Sequence, residues 1–232
     1  MTERATCNVE GCDDGHGNPR PAKRGGGGAC AHHYKPRETF PAESLRPEEV
    51  VRLLAATGEP RETDIRNKAL ISFLLGTGVR IAEALDVTPV DLNTDRGSVF
   101  IRHGKGDKPR LIAIRRSALR DLVLWRIVRN GYPQVDSLNP LFCTKVGGRL
   151  DDRYVRRMFT RLGKKAGIER HVHPHAMRHT FAVEATREGV SPANLQRQLG
   201  HSNLGTTTRY ISTISADEVI DAFAALDRKE DV

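Results

Sequence analysis

The 232-residue chain contains no run of about 18 consecutive apolar residues, which argues against a membrane-spanning helix. Its opening stretch, Met1-Thr2-Glu3-Arg4-Ala5-Thr6, lacks the apolar core of a secretory leader. These two absences predict a protein that stays in the cytoplasm. Cysteine is scarce: Cys7, Cys12, Cys30 and Cys143 are the only four, and three of them fall within the first thirty residues. In an intracellular chain, cysteines at such close spacing more often hold a metal than form disulfides. Cys143 stands apart, after Leu141-Phe142, and reads as a reduced, partly buried thiol. There is no internal repeat.

What is present is ordinary for a globular chain, with 38% hydrophobic and 28% charged residues. The length suits one full domain with a sizeable core and a small appendage. Lys and Arg number 37 against 29 Asp and Glu, a net charge of +8. That surplus suits a polyanion, because each phosphate neutralised releases condensed counterions.

The pattern changes near residue 40. Residues 1–40 are rich in Gly, Cys and His, with four consecutive glycines from Gly25 to Gly28, and cannot bury a hydrophobic core of their own. Residues 41–232 read as a second, regular domain. Ser44-Leu45-Arg46-Pro47-Glu48-Glu49 marks a helix start, with proline in the first turn and two acids near the positive end of the dipole. A helix is expected over about Glu62 to Leu75, broken by Gly76-Thr77-Gly78, and a short one over about Ile81 to Leu85. Residues 98–103 and 110–114 read as two strands of a hairpin with a glycine-bracketed tip, Gly104-Lys105-Gly106. Helices follow at about 117–129, 152–166, 175–188, 192–199, 206–211 and 216–226. The expected fold is mainly α with a small antiparallel β-sheet.

Basic and phenolic groups gather in four segments: Thr77 to Leu85 with Arg80, the hairpin tip with Lys105, His175-Ala176-Met177-Arg178-His179, and Leu199-Gly200-His201-Ser202 running on to Tyr210. Taken alone, each has a structural explanation: a solvated helix-start cation, a soluble hairpin tip, a helix cap after Pro174, a half-buried aromatic. Together they fit attack on a phosphodiester. Negative charge collects on two non-bridging oxygens, which guanidinium groups grip bidentately without losing their charge. Arg80 and Arg178 form such a pair. His175 and Arg178 share a helix face at a spacing of three. A tyrosine hydroxyl serves as covalent nucleophile when a base or cation assists it. The leaving sugar oxygen needs a proton, which a lysine on a loop can supply. Glu83, three residues after Arg80, is placed to orient that arginine or a neighbouring histidine. No cluster of acids that would hold magnesium accompanies the set.

These segments resemble the boxes of the tyrosine recombinase (phage integrase) family. Gly78-Val79-Arg80-Ile81-Ala82-Glu83-Ala84-Leu85 looks like its first arginine box, Lys105 like its hairpin lysine, and His175 to His179 like its H-x-x-R-H box. Leu199 to Ser202 matches its L-G-H-S turn, and Tyr210, nine residues after His201 at the end of Thr206-Thr207-Thr208-Arg209, looks like its nucleophile. Five boxes in the right order, from about Ser44 to about Leu226, make the resemblance specific. It implies site-specific cleavage and rejoining of double-stranded DNA through a 3′-phosphotyrosyl intermediate, without ATP or a catalytic metal. It also implies roles: Arg80 and Arg178 on the phosphate, Lys105 as general acid, His175 for the tyrosine proton, His201 on a non-bridging oxygen. A tetramer on two duplexes is expected, with the apolar positions Val219, Ile220, Phe223 and Leu226 packing on a neighbouring protomer or on their own domain. A type IB topoisomerase-like or resolvase activity shares this chemistry. A non-catalytic DNA-binding regulator derived from an integrase would not need the phenol.

The N-terminal segment carries two ligand pairs at zinc-knuckle spacing, Cys7-x4-Cys12 and Cys30-x2-His33, with His32 a competing ligand. Zinc would supply the folding energy that so small a core lacks. Family members usually carry a helical domain of about a hundred residues ahead of the catalytic part, an ordinary domain size. Here the Cys/His segment stands before Ser44, so DNA gripping is expected to draw on this module, on oligomerisation or on an accessory protein.

Overall fold

The computed structural model describes residues 44–58, 61–104 and 108–200. Within them lie helices α1 (Pro47–Ala55), α2 (Glu62–Thr77), α3 (Ile81–Asp86), α4 (Arg116–Asn130), α5 (Asp152–Lys165), α6 (Pro174–Arg187) and α7 (Pro192–Leu199). Three strands, β1 (Leu92–Asn93), β2 (Ser98–Ile101) and β3 (Arg110–Ala113), form one antiparallel sheet in the order β1-β2-β3. The expected class, mostly helical with a small antiparallel sheet, is what the structure has. The two-residue β1 was missed, being too short to show an alternating pattern.

Helix α2 is the central element. Ala69, Leu70, Ile71, Phe73 and Leu74 are fully buried, and both α4 and α6 pack against the helix. The expected break at Gly76-Thr77-Gly78 falls on its last residue: α2 runs on two residues past Leu75, through Gly76 and Thr77, and ends at Gly78. The reason is packing. A Cβ on Gly76 would lie 2.6 Å from the Ala118 Cβ of α4, so this glycine permits a close helix approach rather than a turn. Gly78 is the true terminator, in the left-handed region at φ +67°, its N–H donating to Leu74 O.

Two buried side chains stitch the long connection after α4. The Trp125 indole N–H donates to Leu141 O at 2.8 Å, and Arg129 donates to the carbonyls of Asp136, Asn139 and Pro140. Cys143 is fully buried rather than partly so, and burial raises its thiol pKa above the ordinary value, leaving it protonated. Helix α5 is amphipathic: Val155, Met158, Phe159 and Leu162 face the core, while Arg153, Arg156, Arg157, Arg161 and Lys164 are exposed.

The α2–α3 junction admits no side chain. A Cβ on Gly78 would stand 2.4 Å from Phe181 Cδ1 and 2.7 Å from Leu199 Cδ2. Left-handed strain and overpacking together should make Gly78→Ala cost about 2–5 kcal/mol. Urea denaturation measures this; a cost below about 1 kcal/mol would show that the junction relaxes freely.

Candidate active site

Pro174 opens α6, and His173 caps it, its Nδ1 accepting from the Ala176 N–H at 3.3 Å. This start places His175 and Arg178 on the first turns of α6, beside the α2–α3 junction that carries Arg80. All three line one cleft of about 500 Å³, with Arg156, His171 and His173 on the same walls. Asp152 is the single carboxylate among the lining residues, and it accepts a hydrogen bond from Arg149 at 3.1 Å. The cleft is therefore strongly cationic and built for an anion.

The two arginines are held differently. Arg178 is 2% exposed; its Nη1 donates to Gly78 O at 2.7 Å and its Nη2 to Leu199 O at 2.9 Å. It thus ties the end of α2 to the end of α7, the turn from which residues 201–210 continue. Arg80 is about one-third exposed and caps α3. Its backbone N–H donates to Glu83 Oε2 at 3.0 Å and its Nη1 to Glu83 Oε1 at 3.0 Å. Of the two roles open to Glu83, orienting Arg80 is the one the structure shows.

Arg110, at the start of β3, also reaches Glu83. It donates Nη1 to Oε1 at 3.1 Å and Nη2 to Oε2 at 2.8 Å. Burial alone pushes the Glu83 carboxyl up, but the hydrogen bonds and charges of Arg110 and Arg80 hold it below the usual carboxylate range. The His175 imidazole is open to the cleft. Desolvation by the walls, then the charges of Arg178 and Arg80, keep its pKa below the ordinary value. At neutral pH it is an uncharged ring able to accept a proton. His173 is shifted the same way by burial and by His171, His175 and Arg156, and it stacks on His175 with ring centroids 6.4 Å apart.

The phage integrase family matches residues 43–216, three-quarters of the chain and the whole stretch that builds this cleft. The chain belongs to that family. The tyrosine recombinase XerC of Actinobacillus pleuropneumoniae serotype 7 is 35% identical over 171 residues, covering 72% of this chain and 54% of the relative. The XerC of Escherichia coli O127:H6 is 34% identical over 146 residues, 63% of this chain and 48% of the relative. The chain thus spans about half the length of the curated relatives it matches. Among solved structures, XerA recombinase superposes with a TM-score of 0.68 at 28% identity, over 82% of this chain and 65% of that one. A XerH site-specific recombinase bound to its difH substrate before cleavage superposes at 0.62 with 29% identity, over 72% and 49%. The α+β architecture is the tyrosine recombinase catalytic-domain fold.

Of the six catalytic candidates in this integrase-family chain, the structure brings Arg80, His175 and Arg178 to one cleft. Lys105, His201 and Tyr210 lie outside the described residues, as do the metal-ligand candidates Cys7, Cys12, Cys30 and His33. Among the described residues, no group of three or more His, Cys, Asp or Glu side chains could hold a metal ion, and no helix is long and apolar enough to cross a membrane. Sequence reasoning missed Arg110 and Gln198. Gln198 accepts from Ala113 N–H at 3.0 Å and donates to Ala113 O at 2.8 Å and Thr77 O at 3.0 Å, pinning α7 to β3 and α2. No local spacing signals either contact, since the partners are 27 to 121 residues apart. His173 had a weak signal, standing two residues before His175 at the position that caps α6.

Proposed function

We propose that this chain cleaves and reseals double-stranded DNA site-specifically through a phosphotyrosyl link on Tyr210. The observation that carries the reading is the convergence of Arg80, Arg178 and a neutral His175 on one cationic cleft within an integrase-family fold. Two guanidinium groups stabilise charge on the phosphoryl oxygens as it grows in the transition state. His175 takes the phenol proton as Tyr210 attacks phosphorus. The scissile P–O5′ bond breaks, and Lys105 protonates the departing 5′-oxygen. His201 donates to a non-bridging oxygen. A 5′-hydroxyl then attacks the 3′-phosphotyrosine, so each phosphodiester broken is matched by one formed and no nucleotide cofactor is consumed. The exposed basic face of α5 meets the cleft at Arg156 and offers a track for flanking phosphates.

The relatives support this reading by what they are: XerC proteins are tyrosine recombinases, and the XerH structure holds its difH substrate. We assign the chain to two domains, residues 1–40 and 41–232, acting as a tetramer on two duplexes in the cytoplasm, with an accessory protein where the grip on DNA is incomplete.

The test uses a pool of nicked duplexes of random sequence, from which the full chain captures its own substrate covalently. Denaturing electrophoresis should show a protein–DNA adduct whose DNA, once sequenced, converges on one site. Binding without any adduct would favour a non-catalytic regulator, and relaxation of supercoiled plasmid without strand exchange would favour a topoisomerase.

The N-terminal segment is assigned a structural zinc ion on Cys7, Cys12, Cys30 and His33, whose thiolate and imidazole donors suit a closed tetrahedral site. Chain purified without a metal-affinity tag should contain about one zinc per molecule and lose it on Cys12→Ser. Full-length chain free of zinc would end that assignment.

A further inference from the structure

Glu83 is nearly saturated: its two carboxylate oxygens take four hydrogen bonds, two from Arg80 and two from Arg110. The Glu83 side chain is 5% exposed and that of Arg110 13%, so water screens the pair little. Arg110 is fixed from other directions as well. Its Nε donates to Gln198 O at 3.4 Å, and Gly200 lies against its guanidinium so closely that a Cβ there would stand 2.9 Å from Cζ. Arg80, by contrast, gives Glu83 only one guanidinium nitrogen, and among the described residues its remaining side-chain donors have no protein acceptor. Arg80 itself lines the cleft.

We infer that Arg110 is a positioning residue for phosphate recognition, acting as the counter-cation that satisfies Glu83 so that Arg80 keeps its positive charge for the substrate. A carboxylate beside a phosphate-binding arginine has opposite effects. It orients the guanidinium, but it also neutralises the charge that the phosphate must feel. Bidentate pairing with Arg110 removes the second effect and keeps the first. The three groups carry one negative and two positive charges, a net positive centre with its open donors on Arg80. Without Arg110, Glu83 would turn its full charge on Arg80 and compete with the phosphate for the same donors.

This inference rests on the proposed strand-cleavage reaction. The test is single-turnover cleavage of the duplex selected above by full-length Arg110→Gln, Arg110→Lys and the double variant Glu83→Gln/Arg110→Gln, each checked by thermal melting. Arg110→Gln should cleave about 100-fold more slowly than wild type, in the range expected for loss of an electrostatic donor. Arg110→Lys gives up the two-nitrogen fork but keeps the counter-charge on which the inference turns, and should stay within about tenfold. The double variant has no carboxylate to neutralise Arg80 and should also return to within about tenfold. On a duplex whose scissile phosphate is a neutral methylphosphonate, the Arg110→Gln defect should shrink to about threefold, because there is less charge to stabilise. A double variant no faster than Arg110→Gln, or an equal defect on both duplexes, would overturn the inference and leave Arg110 a strut for α7. If Arg110→Gln does not fold, the lysine and double variants decide: a hundredfold loss in either overturns it. Wild-type chain that forms no adduct would instead refute the cleavage reaction itself.

Discussion

Tyr210→Phe should remove covalent capture of DNA altogether, a loss of at least about 10⁴-fold in cleavage, while duplex affinity changes by less than about fivefold. The asymmetry follows from what one oxygen atom does. In the proposed reaction it is the nucleophile that forms the bond to phosphorus, and no other atom of the side chain could replace it. As a binding group it is worth one hydrogen bond among many phosphate contacts. The cationic cleft and the basic face of α5 persist in the variant, so the salt-dependent part of binding persists too. Electrophoretic mobility shift alongside denaturing gels separates the two effects. A covalent adduct formed by Tyr210→Phe would move the nucleophile to another residue. A parallel collapse of binding would make Tyr210 structural.

The second large effect is expected at Arg178, where catalysis and stability fall together. Its guanidinium joins Gly78 O to Leu199 O while 2% exposed. Arg178→Ala leaves two sheltered carbonyls without their donors, at about 1–3 kcal/mol each. It also removes a charge from the cleft, about 10²–10³-fold in cleavage. Arg178→Lys separates the contributions. An ammonium keeps the charge but cannot span two carbonyls in a fixed fork. The lysine variant should therefore recover part of the rate lost in alanine while remaining destabilised in urea. If lysine restored wild-type stability, the bridge between α2 and α7 would not depend on guanidinium geometry. If alanine cleaved at the wild-type rate, Arg178 would be a strut outside the reaction.

The residues that point to the proposed reaction are local words in the sequence. Gly78-Val79-Arg80 and His175-Ala176-Met177-Arg178 can be read because a helix start after a glycine, or after Pro174, puts the next polar side chains on a definable face. The same logic located α5, whose apolar spacing is strong, and α7, whose bounds match those expected. It did not tell Gly76 from Gly78. A glycine required by a neighbouring helix and a glycine required by a turn look alike until Ala118 is seen 2.6 Å from the missing Cβ. It failed at β1, whose two residues gain their strand character only from pairing with Val99 and Ser98.

By itself, then, the sequence determined the class of fold, the order of its main helices, the family, and three of the groups that the cleft gathers, because periodicity and caps are properties of neighbouring residues. Only the tertiary structure decided which charges face each other. That Glu83 also takes a second arginine, Arg110, that Arg178 spans two helix ends, and that Gln198 pins α7 to β3 all depend on packing between segments far apart in the chain. Electrostatic contacts between distant segments carry no sequence period. They are set by which surfaces the hydrophobic core presses together, and in that core α2 packs against α4 and α6.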